Sequence, residues 1–210
     1  AAQILGHPFL LANQVGANDD LLFDGCSLVA WPDGQVVIAP AWQEGVLLVD
    51  LESPQNCRWI ASESEDSICI GNDQIKYLSS DDDGHDDAEH LIEELADAVV
   101  TGLSDYCRKS GISSIVLGLS GGIDSAVAAC VAAAAVGPEN VTAIAMPSRH
   151  SSQHSIDDAQ YTGQALGINF SIREIDELHK SVENSIGDVL SVGNPVANEN
   201  LQARLRAIIV

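Results

Sequence analysis

A glycine-rich turn between an apolar run and an alanine-rich stretch constrains the fold of this chain more than any other feature. Residues 120–125 read Ser-Gly-Gly-Ile-Asp-Ser; they follow the apolar run 113–119 and precede the Ala-rich stretch 126–135. This order predicts a buried strand, a tight turn and a helix. The first turn of such a helix has unpaired amide groups and a positive dipole end, so it binds anions. We call residues 120–125 the glycine loop.

The side chains of the glycine loop suit a phosphate group. Gly121 and Gly122 let the backbone come close to a phosphate because no Cβ stands in the way. Ser120 and Ser125 add hydroxyl donors, and Asp124 is a candidate ligand for the metal that accompanies a polyphosphate. The loop lacks the Lys of the Walker A motif, and the chain has no G-x-G-x-x-G fingerprint. A turn of this shape without phosphate also exists, but the serines and the aspartate favour phosphate binding.

The residues around the glycine loop alternate between strand and helix patterns. Apolar residues at three- and four-residue steps predict a helix over 87–111. After it we expect strands at 113–119, 141–146 and 168–175, separated by helices at 124–136 and 155–166. Such alternation predicts a parallel sheet with right-handed crossovers. Ligands of these sheets lie beyond the carboxyl ends of the strands, which is where the glycine loop falls.

The first 86 residues have a different organisation. Residues 1–52 predict short strands at 8–12, 26–30, 35–39 and 45–51, with a hairpin turn at Pro32-Asp33-Gly34. Residues 53–86 are rich in Ser, Asp and Glu and end in the acidic run 79–87, so we interpret them as an acidic linker. The predicted organisation is therefore one domain over 1–52, a linker over 53–86 and a second domain over 87–210.

Charge and cysteine usage narrow the function further. Acidic residues number 31 against 9 basic ones, a net charge of −22, which argues against a nucleic acid partner. No run of 18 apolar residues and no signal peptide appears, so we expect neither membrane insertion nor secretion. The 5 cysteines form no C-x-x-C pair or zinc spacing, which fits reduced thiols and a cytoplasmic protein.

Three further blocks of sequence indicate which protein family the region around the glycine loop resembles. They are 146–152 (Met-Pro-Ser-Arg-His-Ser-Ser), 155–159 (Ser-Ile-Asp-Asp-Ala) and 198–206 (Asn-Glu-Asn-Leu-Gln-Ala-Arg-Leu-Arg). The loop alone resembles that of the ATP pyrophosphatases, which include GMP, asparagine and argininosuccinate synthetases. Together with the three blocks, residues 88–210 resemble the NAD synthetases. A GMP synthetase-like ligase and a nucleotide-binding fragment without turnover remain as alternatives.

The beginning of the chain resembles the last strands of a nitrilase-type glutaminase domain. The resemblance lies in 13–16 (Asn-Gln-Val-Gly), 23–27 (Phe-Asp-Gly-Cys-Ser), Asp33-Gly34 and Glu44-Gly45. It implies an α/β protein in which the C-terminal part of a nitrilase-like α-β-β-α domain precedes a Rossmann-like ATP-pyrophosphatase domain with a parallel sheet. The glutaminase Cys, Lys and Glu would lie before Ala1, so no catalytic residue is assigned, and Cys26 is rejected as the nucleophile.

The resemblance implies a reaction and a set of site residues. The carboxylate of deamido-NAD+ would attack the α-phosphate of ATP, and ammonia derived from glutamine would displace AMP from the adenylate. Asp124 would place Mg²⁺, and Asn200 and Arg204 would bind deamido-NAD+. The residues assigned to ATP are Gly118, Leu119, Ser120, Gly121, Gly122, Ile123, Asp124, Ser125 and Arg149.

The resemblance also carries expectations about the rest of the protein. It implies a homo-oligomer that pairs through the synthetase domain. The chain reads as a piece of a longer protein that is truncated at its C-terminus. Further ATP and metal ligands would follow Val210, so this piece alone would not catalyse the reaction. Arg206 lies on another side of its predicted helix from Arg204 and is expected to be structural or to lie at an interface.

Overall fold

This computed structural model describes residues 1–61, 76–78, 88–149, 151–191 and 196–210. The chain divides into two compact units, Ala1–Tyr106 and Cys107–Val210. The division falls within helix α2, Ala88–Ser110, which begins and ends where the sequence pattern predicted. In the described ranges, no helix has both the length and the apolarity to cross a lipid bilayer. The domain boundaries implied by the family resemblance stay predictions.

The first unit is built from short antiparallel strands. Its elements before α2 are helix α1 (Ala2–Leu5), strands β1 (Phe9–Leu11), β2 (Val15–Asn18), β3 (Leu21–Asp24), β4 (Leu28–Ala30), β5 (Val36–Ile38) and β6 (Gly45–Leu48), a 3-10 turn (Pro54–Asn56), and strands β7 (Arg58–Ala61) and β8 (Lys76–Leu78). One sheet has the order β1-β4-β5-β8, while β2 pairs with β3 and β6 with β7. The predicted hairpin connects β4 to β5, and Gly34 adopts φ +95° in its turn.

The core of the first unit lies along β4, β5 and β7. Val29 and Val37 are opposite each other in the β4–β5 ladder and are fully buried. Trp31, Cys57 and Trp59 are buried in the same cluster. The two indole rings add a large apolar area to the core of a unit whose strands are only three or four residues long.

A buried aspartate connects α2 to the β2–β3 hairpin. Asp105 is only 7% exposed to solvent, and its Oδ2 accepts a hydrogen bond of 2.8 Å from the Ala17 amide. The carboxylate lies so close to β2 that a Cβ at Gly16 would be 2.6 Å from Oδ2. Glycine at position 16, which has φ +123°, therefore allows the close approach.

Part of the segment that was interpreted as an acidic linker forms strands. Strand β7 lies within 53–86 and pairs with β6 over its whole length, and β8 pairs with β5. Cys57 and Trp59 are buried, so this segment belongs to the core of the first unit. Strand β7 was not recognised in the sequence because it is only four residues long and a segment rich in Ser, Asp and Glu follows it. The acidic run 79–87 lies outside the described residues. The β2–β3 hairpin was not predicted from the sequence.

The second unit has the parallel α/β architecture predicted from the sequence. After the end of α2 it contains β9 (Ile115–Gly118), α3 (Ile123–Val136), a 3-10 turn (Pro138–Asn140), β10 (Val141–Ala145), α4 (Gln153–Leu166), β11 (Asn169–Ile172), α5 (Asp176–Ser191) and α6 (Val196–Ile209). The sheet order is β11-β10-β9, and both pairings are parallel. The alternate residues Val141, Ala143 and Ala145 of the central strand are buried. Helix α5 was not predicted, and it is interrupted at Ile186, whose φ is −132°.

Candidate functional site

A cavity of about 500 Å³ lies at the carboxyl edge of the parallel sheet. The end of β9 contributes Gly118 to Ser120, and the end of β10 contributes Ile144 to Pro147. Two helices also contribute to the wall: α4 through Ser155 and Ile156, and α6 through Arg206. The cavity therefore stands where the topology of a parallel sheet places ligands. Most of its wall is apolar, and its hydroxyl groups lie on the side of the glycine loop.

The two serines of the glycine loop bond to each other and to its backbone. The Ser125 hydroxyl accepts from the Ser120 amide at 3.1 Å and donates to the Gly122 carbonyl at 2.9 Å. The two hydroxyl oxygens are 3.0 Å apart, and the Gly122 amide donates to Ser120 Oγ at 3.2 Å. These bonds fix the shape of the loop. A hydroxyl group has one donor and two acceptor positions, so these serines can shape the loop and still meet a phosphate by exchanging a bond.

Gly121 brings the loop against the start of α4. Its φ is +80°, and a Cβ added there would lie 2.8 Å from the carbonyl carbon of Ser155. A side chain is thus excluded both by conformation and by space. The contact joins the glycine loop to the block 155–159, one of the three blocks that carry the family resemblance. Gly118, the last residue of β9, packs closely against the Met146 side chain, since a Cβ added at Gly118 would be 3.0 Å from Met146 Cε.

Helix α3 begins at the loop without a side-chain cap. Gly122 is its N-cap and makes no side-chain hydrogen bond to the first turn. The first-turn amides therefore have no capping partner, which is the arrangement that suits an anion. Asp124 lies in this turn and is exposed.

The acidic groups present fit a metal that arrives with a nucleotide. Within the described ranges, no group of three His, Cys, Asp or Glu side chains is placed to hold a metal ion. Mg²⁺ in nucleotide sites is commonly held by one or two carboxylates together with phosphate oxygens. A single exposed carboxylate at Asp124 therefore suits Mg²⁺ bound with a polyphosphate, and it does not suit a site made of protein ligands alone.

Arg149 borders the cavity without lining it. Its amide donates to Asp176 Oδ1 at 2.9 Å, and its Nη2 donates to His179 Nδ1 at 2.8 Å and to Glu183 Oε2 at 3.0 Å. Pro147 and Ser151, on either side of it in the chain, do line the cavity. The structure thus places this predicted ATP ligand in the loop after β10, where it is hydrogen-bonded to α5 and is not among the residues that line the cavity.

Helix α6 carries the predicted deamido-NAD+ residues and also Arg206, which was expected to be structural or to lie at an interface. Asn200 and Arg204 are both exposed, and neither lines the cavity. Arg206 does line it, and its Nε donates to the Met146 carbonyl at 3.3 Å. That Arg206 lines the cavity was not predicted from the sequence, and its assignment as a structural or interface residue stays a prediction. The apolar wall residues were also missed, since apolar residues at strand ends look like ordinary core in a sequence.

Of the residues assigned to ATP, Gly118, Leu119 and Ser120 line the cavity. Gly121, Gly122, Ile123, Asp124 and Ser125 form the remainder of the loop and the first helical turn beside it. The structure thus brings the glycine loop and the first two sequence blocks together around one cavity. Of the third block, it brings Arg206 to the same wall.

The fold and the loop place the second unit among α/β proteins with a glycine-rich turn at the carboxyl edge of a parallel sheet. The sequence model of the NAD synthase family matches residues 80–210, and the chain belongs to that family. A glutamine-dependent NAD(+) synthetase of Rhodobacter capsulatus is 42% identical over 207 residues, which are 98% of this chain and 34% of that protein. The chain thus spans about a third of the length of this relative.

Two solved structures extend the comparison. The glutamine-dependent NAD+ synthetase of Acinetobacter baumannii, in complex with ADP, matches with a TM-score of 0.75 and 31% identity. That match covers 99% of this chain and 36% of the other. The NMN synthetase of Francisella tularensis matches with a TM-score of 0.50 and 32% identity over 56% of this chain and 47% of its own.

Proposed function

We propose that this chain takes part in the ATP-dependent amidation of deamido-NAD+ to NAD+. The observation that carries the proposal is the match to the NAD synthase family over 80–210, the range that contains the glycine loop and every element around the cavity. The ADP bound by the Acinetobacter baumannii relative supports a nucleotide in this cavity. As a ligase of this kind, the protein would release AMP and pyrophosphate.

The reaction requires charge neutralisation more than proton transfer. The carboxylate of deamido-NAD+ attacks the α-phosphate of ATP, so two anions approach each other and pyrophosphate leaves. The hydroxyls of Ser120 and Ser125 and the uncapped amides at the start of α3 hold the departing pyrophosphate. Gly121 and Gly122 give it close access to the backbone. Mg²⁺ at Asp124 supplies charge stabilisation of the polyphosphate when bound.

The remaining substrate contacts come from two other elements. Arg149 contacts ATP from the mouth of the cavity, where the loop after β10 holds it. Asn200 and Arg204 bind deamido-NAD+ from α6, and their exposure leaves them accessible to a dinucleotide. The adenylate forms between these groups, and ammonia then displaces AMP to give the nicotinamide amide.

The first unit supports glutamine as the source of ammonia. Its strands β1 to β6 contain the segments that resemble the end of a nitrilase-type glutaminase domain, and the relative from Rhodobacter capsulatus is named glutamine-dependent. Residues 1–52 would therefore be the last part of a nitrilase-like α-β-β-α domain. Pairing through the synthetase domain and residence in the cytoplasm remain part of this proposal.

The test is product formation by the protein that carries this chain. With deamido-NAD+, ATP, Mg²⁺ and glutamine, we expect NAD+, AMP and pyrophosphate in equal amounts. Asp124→Asn, which keeps the size of the side chain and removes its charge, should lower the rate by about 100-fold or more, because the metal loses its protein ligand. Ammonium chloride in place of glutamine should support the same reaction.

The alternatives give different results in this assay. Amidation of xanthosine monophosphate but not of deamido-NAD+ would identify a GMP synthetase-like ligase. Amidation of nicotinate mononucleotide in preference to the dinucleotide would align the chain with the NMN synthetase that it resembles in fold. Nucleotide binding without any product would leave a binding module. Activity with ammonium but none with glutamine would remove only the glutaminase part of the proposal.

A further inference from the structure

A network of polar side chains connects the loop after β10 to helix α5. Three hydrogen bonds join Arg149 to this helix, one from its amide to Asp176 and two from its Nη2, to His179 and to Glu183. A fourth bond runs from the Ile175 amide to the Pro147 carbonyl at 3.1 Å. Because Pro147 lines the cavity, the network determines where one wall of the site stands.

His179 is the buried member of the network, and its chemistry fixes its role. Its side chain is 5% exposed, against 41% for Arg149 and 31% for Glu183. Arginine has only donors, so at 2.8 Å the His179 Nδ1 must present its lone pair to the guanidinium. A proton on Nδ1 would point at another donor, the Arg149 guanidinium, at 2.8 Å. The nearest acceptor in the network, Glu183 Oε2, is 3.5 Å from Nδ1, which is too far for a good hydrogen bond. The neutral ring with the proton on Nε2 is therefore the form that this geometry supports.

This orientation of His179 leaves one polar atom without a partner. Its Nε2 is buried and makes no hydrogen bond within the described residues. A buried donor without a partner is destabilising, because it loses its hydrogen bonds to water and gains none in the protein. An apolar side chain would fill the same space without that cost, so packing alone does not account for a histidine here. The acceptor that His179 offers to Arg149 does account for it.

We propose that His179 and Glu183 are positioning residues that hold Arg149, and with it the loop after β10, in the place from which the site binds ATP. The inference rests on the proposed function, since it concerns the same cavity. Neither residue touches the nucleotide. They act through the guanidinium of Arg149 and through the cavity wall formed by the neighbouring Pro147 and Ser151.

The same contacts would serve a release mechanism, in which α5 holds Arg149 away from ATP until the nucleotide arrives. The geometry favours positioning. The backbone of the loop is bound to α5 at the Arg149 amide and at the Pro147 carbonyl, independently of the guanidinium. A contact built for release needs no second attachment of the backbone and no buried partner. The two mechanisms predict opposite signs for the loss of His179.

The experiment compares substitutions at His179 in the protein that carries this chain. His179→Leu fills the space without an acceptor, whereas His179→Asn keeps an acceptor oxygen near the position of Nδ1. We expect His179→Leu to raise the KM for ATP about tenfold with little change in kcat, consistent with the loss of one hydrogen bond to a charged group. His179→Asn should restore most of the affinity. Glu183→Gln, which keeps an acceptor, should change the KM less than twofold.

A double-mutant cycle shows whether His179 acts through Arg149. If it does, His179→Leu added to Arg149→Met should raise the KM for ATP no further than Arg149→Met alone. The thermal midpoint of His179→Leu should equal or exceed that of the wild type, since a buried unpaired donor is removed. Tighter ATP binding by His179→Leu would overturn positioning in favour of release. Additive effects of the two substitutions, or failure of His179→Asn to restore affinity, would also overturn the proposal.

A failure of this inference is distinguishable from a failure of the proposed function. If the wild-type protein binds ATP and makes NAD+, and Asp124→Asn abolishes turnover, the function stands. An unchanged KM for ATP in His179→Leu then refutes positioning alone. If the wild type makes no NAD+ but binds ATP, the His179 comparison is made on the dissociation constant for ATP with Mg²⁺, and the same expected and opposing results apply.

Discussion

Two aspartates show how the two units of this chain use similar side chains differently. Asp105 in the first unit is buried, and its carboxylate accepts a hydrogen bond from the Ala17 amide, so its charge serves the attachment of α2 to a hairpin. Asp124 in the second unit is exposed in the first turn of α3, a helix whose N-cap, Gly122, has no side chain to cap the first turn. A carboxylate with a buried backbone partner stabilises structure, whereas one that is exposed at an uncapped helix start is available for a ligand.

The same contrast holds for the glycines with positive φ. Gly16 in the first unit lets Asp105 approach a strand, and the contact stays within the protein. Gly121 in the second unit presses the glycine loop against Ser155 and shapes the edge of a cavity. In the first unit the close approach supports packing. In the second it supports a surface that can receive another molecule.

The largest effect is expected for Gly121→Ala. The substitution places a Cβ against the backbone of Ser155 at φ +80°, so we expect a loss of about 3 kcal/mol or more in the free energy of unfolding, with loss of ATP binding. Urea unfolding and an ATP titration measure the two effects. Gly111→Ala is the matched control: its φ is +69° with nothing within 4 Å of the new Cβ, and it should cost only about 1 kcal/mol. Equal losses in the two variants would contradict the role of the Ser155 contact.

Exchanging the two aspartates for alanine should separate stability from function. Asp105→Ala leaves the Ala17 amide without this acceptor, so we expect a loss of about 2 kcal/mol in the free energy of unfolding and unchanged affinity for ATP. Asp124→Ala should leave stability within about 0.5 kcal/mol and reduce ATP binding in the presence of Mg²⁺. Denaturation curves and ATP titrations of both variants decide the matter. A stability loss in Asp124→Ala as large as that in Asp105→Ala would remove the distinction.

A smaller effect is expected from the hydroxyl that shapes the loop. Ser125→Ala removes the bonds to Ser120 and Gly122, and the affinity for ATP should fall about fivefold, since one or two neutral hydrogen bonds are lost. Ser185→Ala on α5 is the control, because that hydroxyl donates to the Ser181 carbonyl of its own helix and does not line the cavity. If both variants bind ATP alike, the Ser125 hydroxyl does not serve the site.

The smallest effect concerns pH and the first unit alone. Hydrogen bonds from the Asn56 side chain and from the Glu52 amide lower the pKa of Asp50 below its usual 3.8. A carboxyl with a depressed pKa contributes stability above its unfolded pKa and loses it as the pH falls through the folded value. The wild type should therefore lose slightly more stability than Asp50→Asn between about pH 5 and about pH 2. Parallel stability curves for the two proteins would contradict this assignment.

The second unit could be predicted from sequence better than the first, for physical reasons. Its strands and helices alternate regularly along the chain, and each is long enough for its sequence pattern to be recognised, as for β9 and α3. The first unit has strands of three or four residues, too short to show a period, and Trp59 in β7 lies inside a polar segment. The glycine loop was recognisable because the function constrains its residue types directly.

Parts of the site were beyond reach of the sequence. Arg206 donates a hydrogen bond to the carbonyl of Met146, which is 60 residues earlier in the sequence, and no local pattern indicates this bond. The burial of His179 beside Arg149 likewise depends on how α5 packs, and α5 itself was not predicted. Tertiary contacts of this kind appear only when the sheet order and the helix positions are known.

Hydrogen exchange with and without ATP and Mg²⁺ tests the central claim most directly, because it reports on both units at once. The protein that carries this chain should show slower amide exchange on nucleotide addition at 118–126, after β10 at 146–149, and near Arg206, with little change in strands β1 to β7. That result would place the nucleotide in the cavity beside the glycine loop. Protection confined to the first unit, or no protection at 118–126 under conditions in which ATP binds, would contradict it.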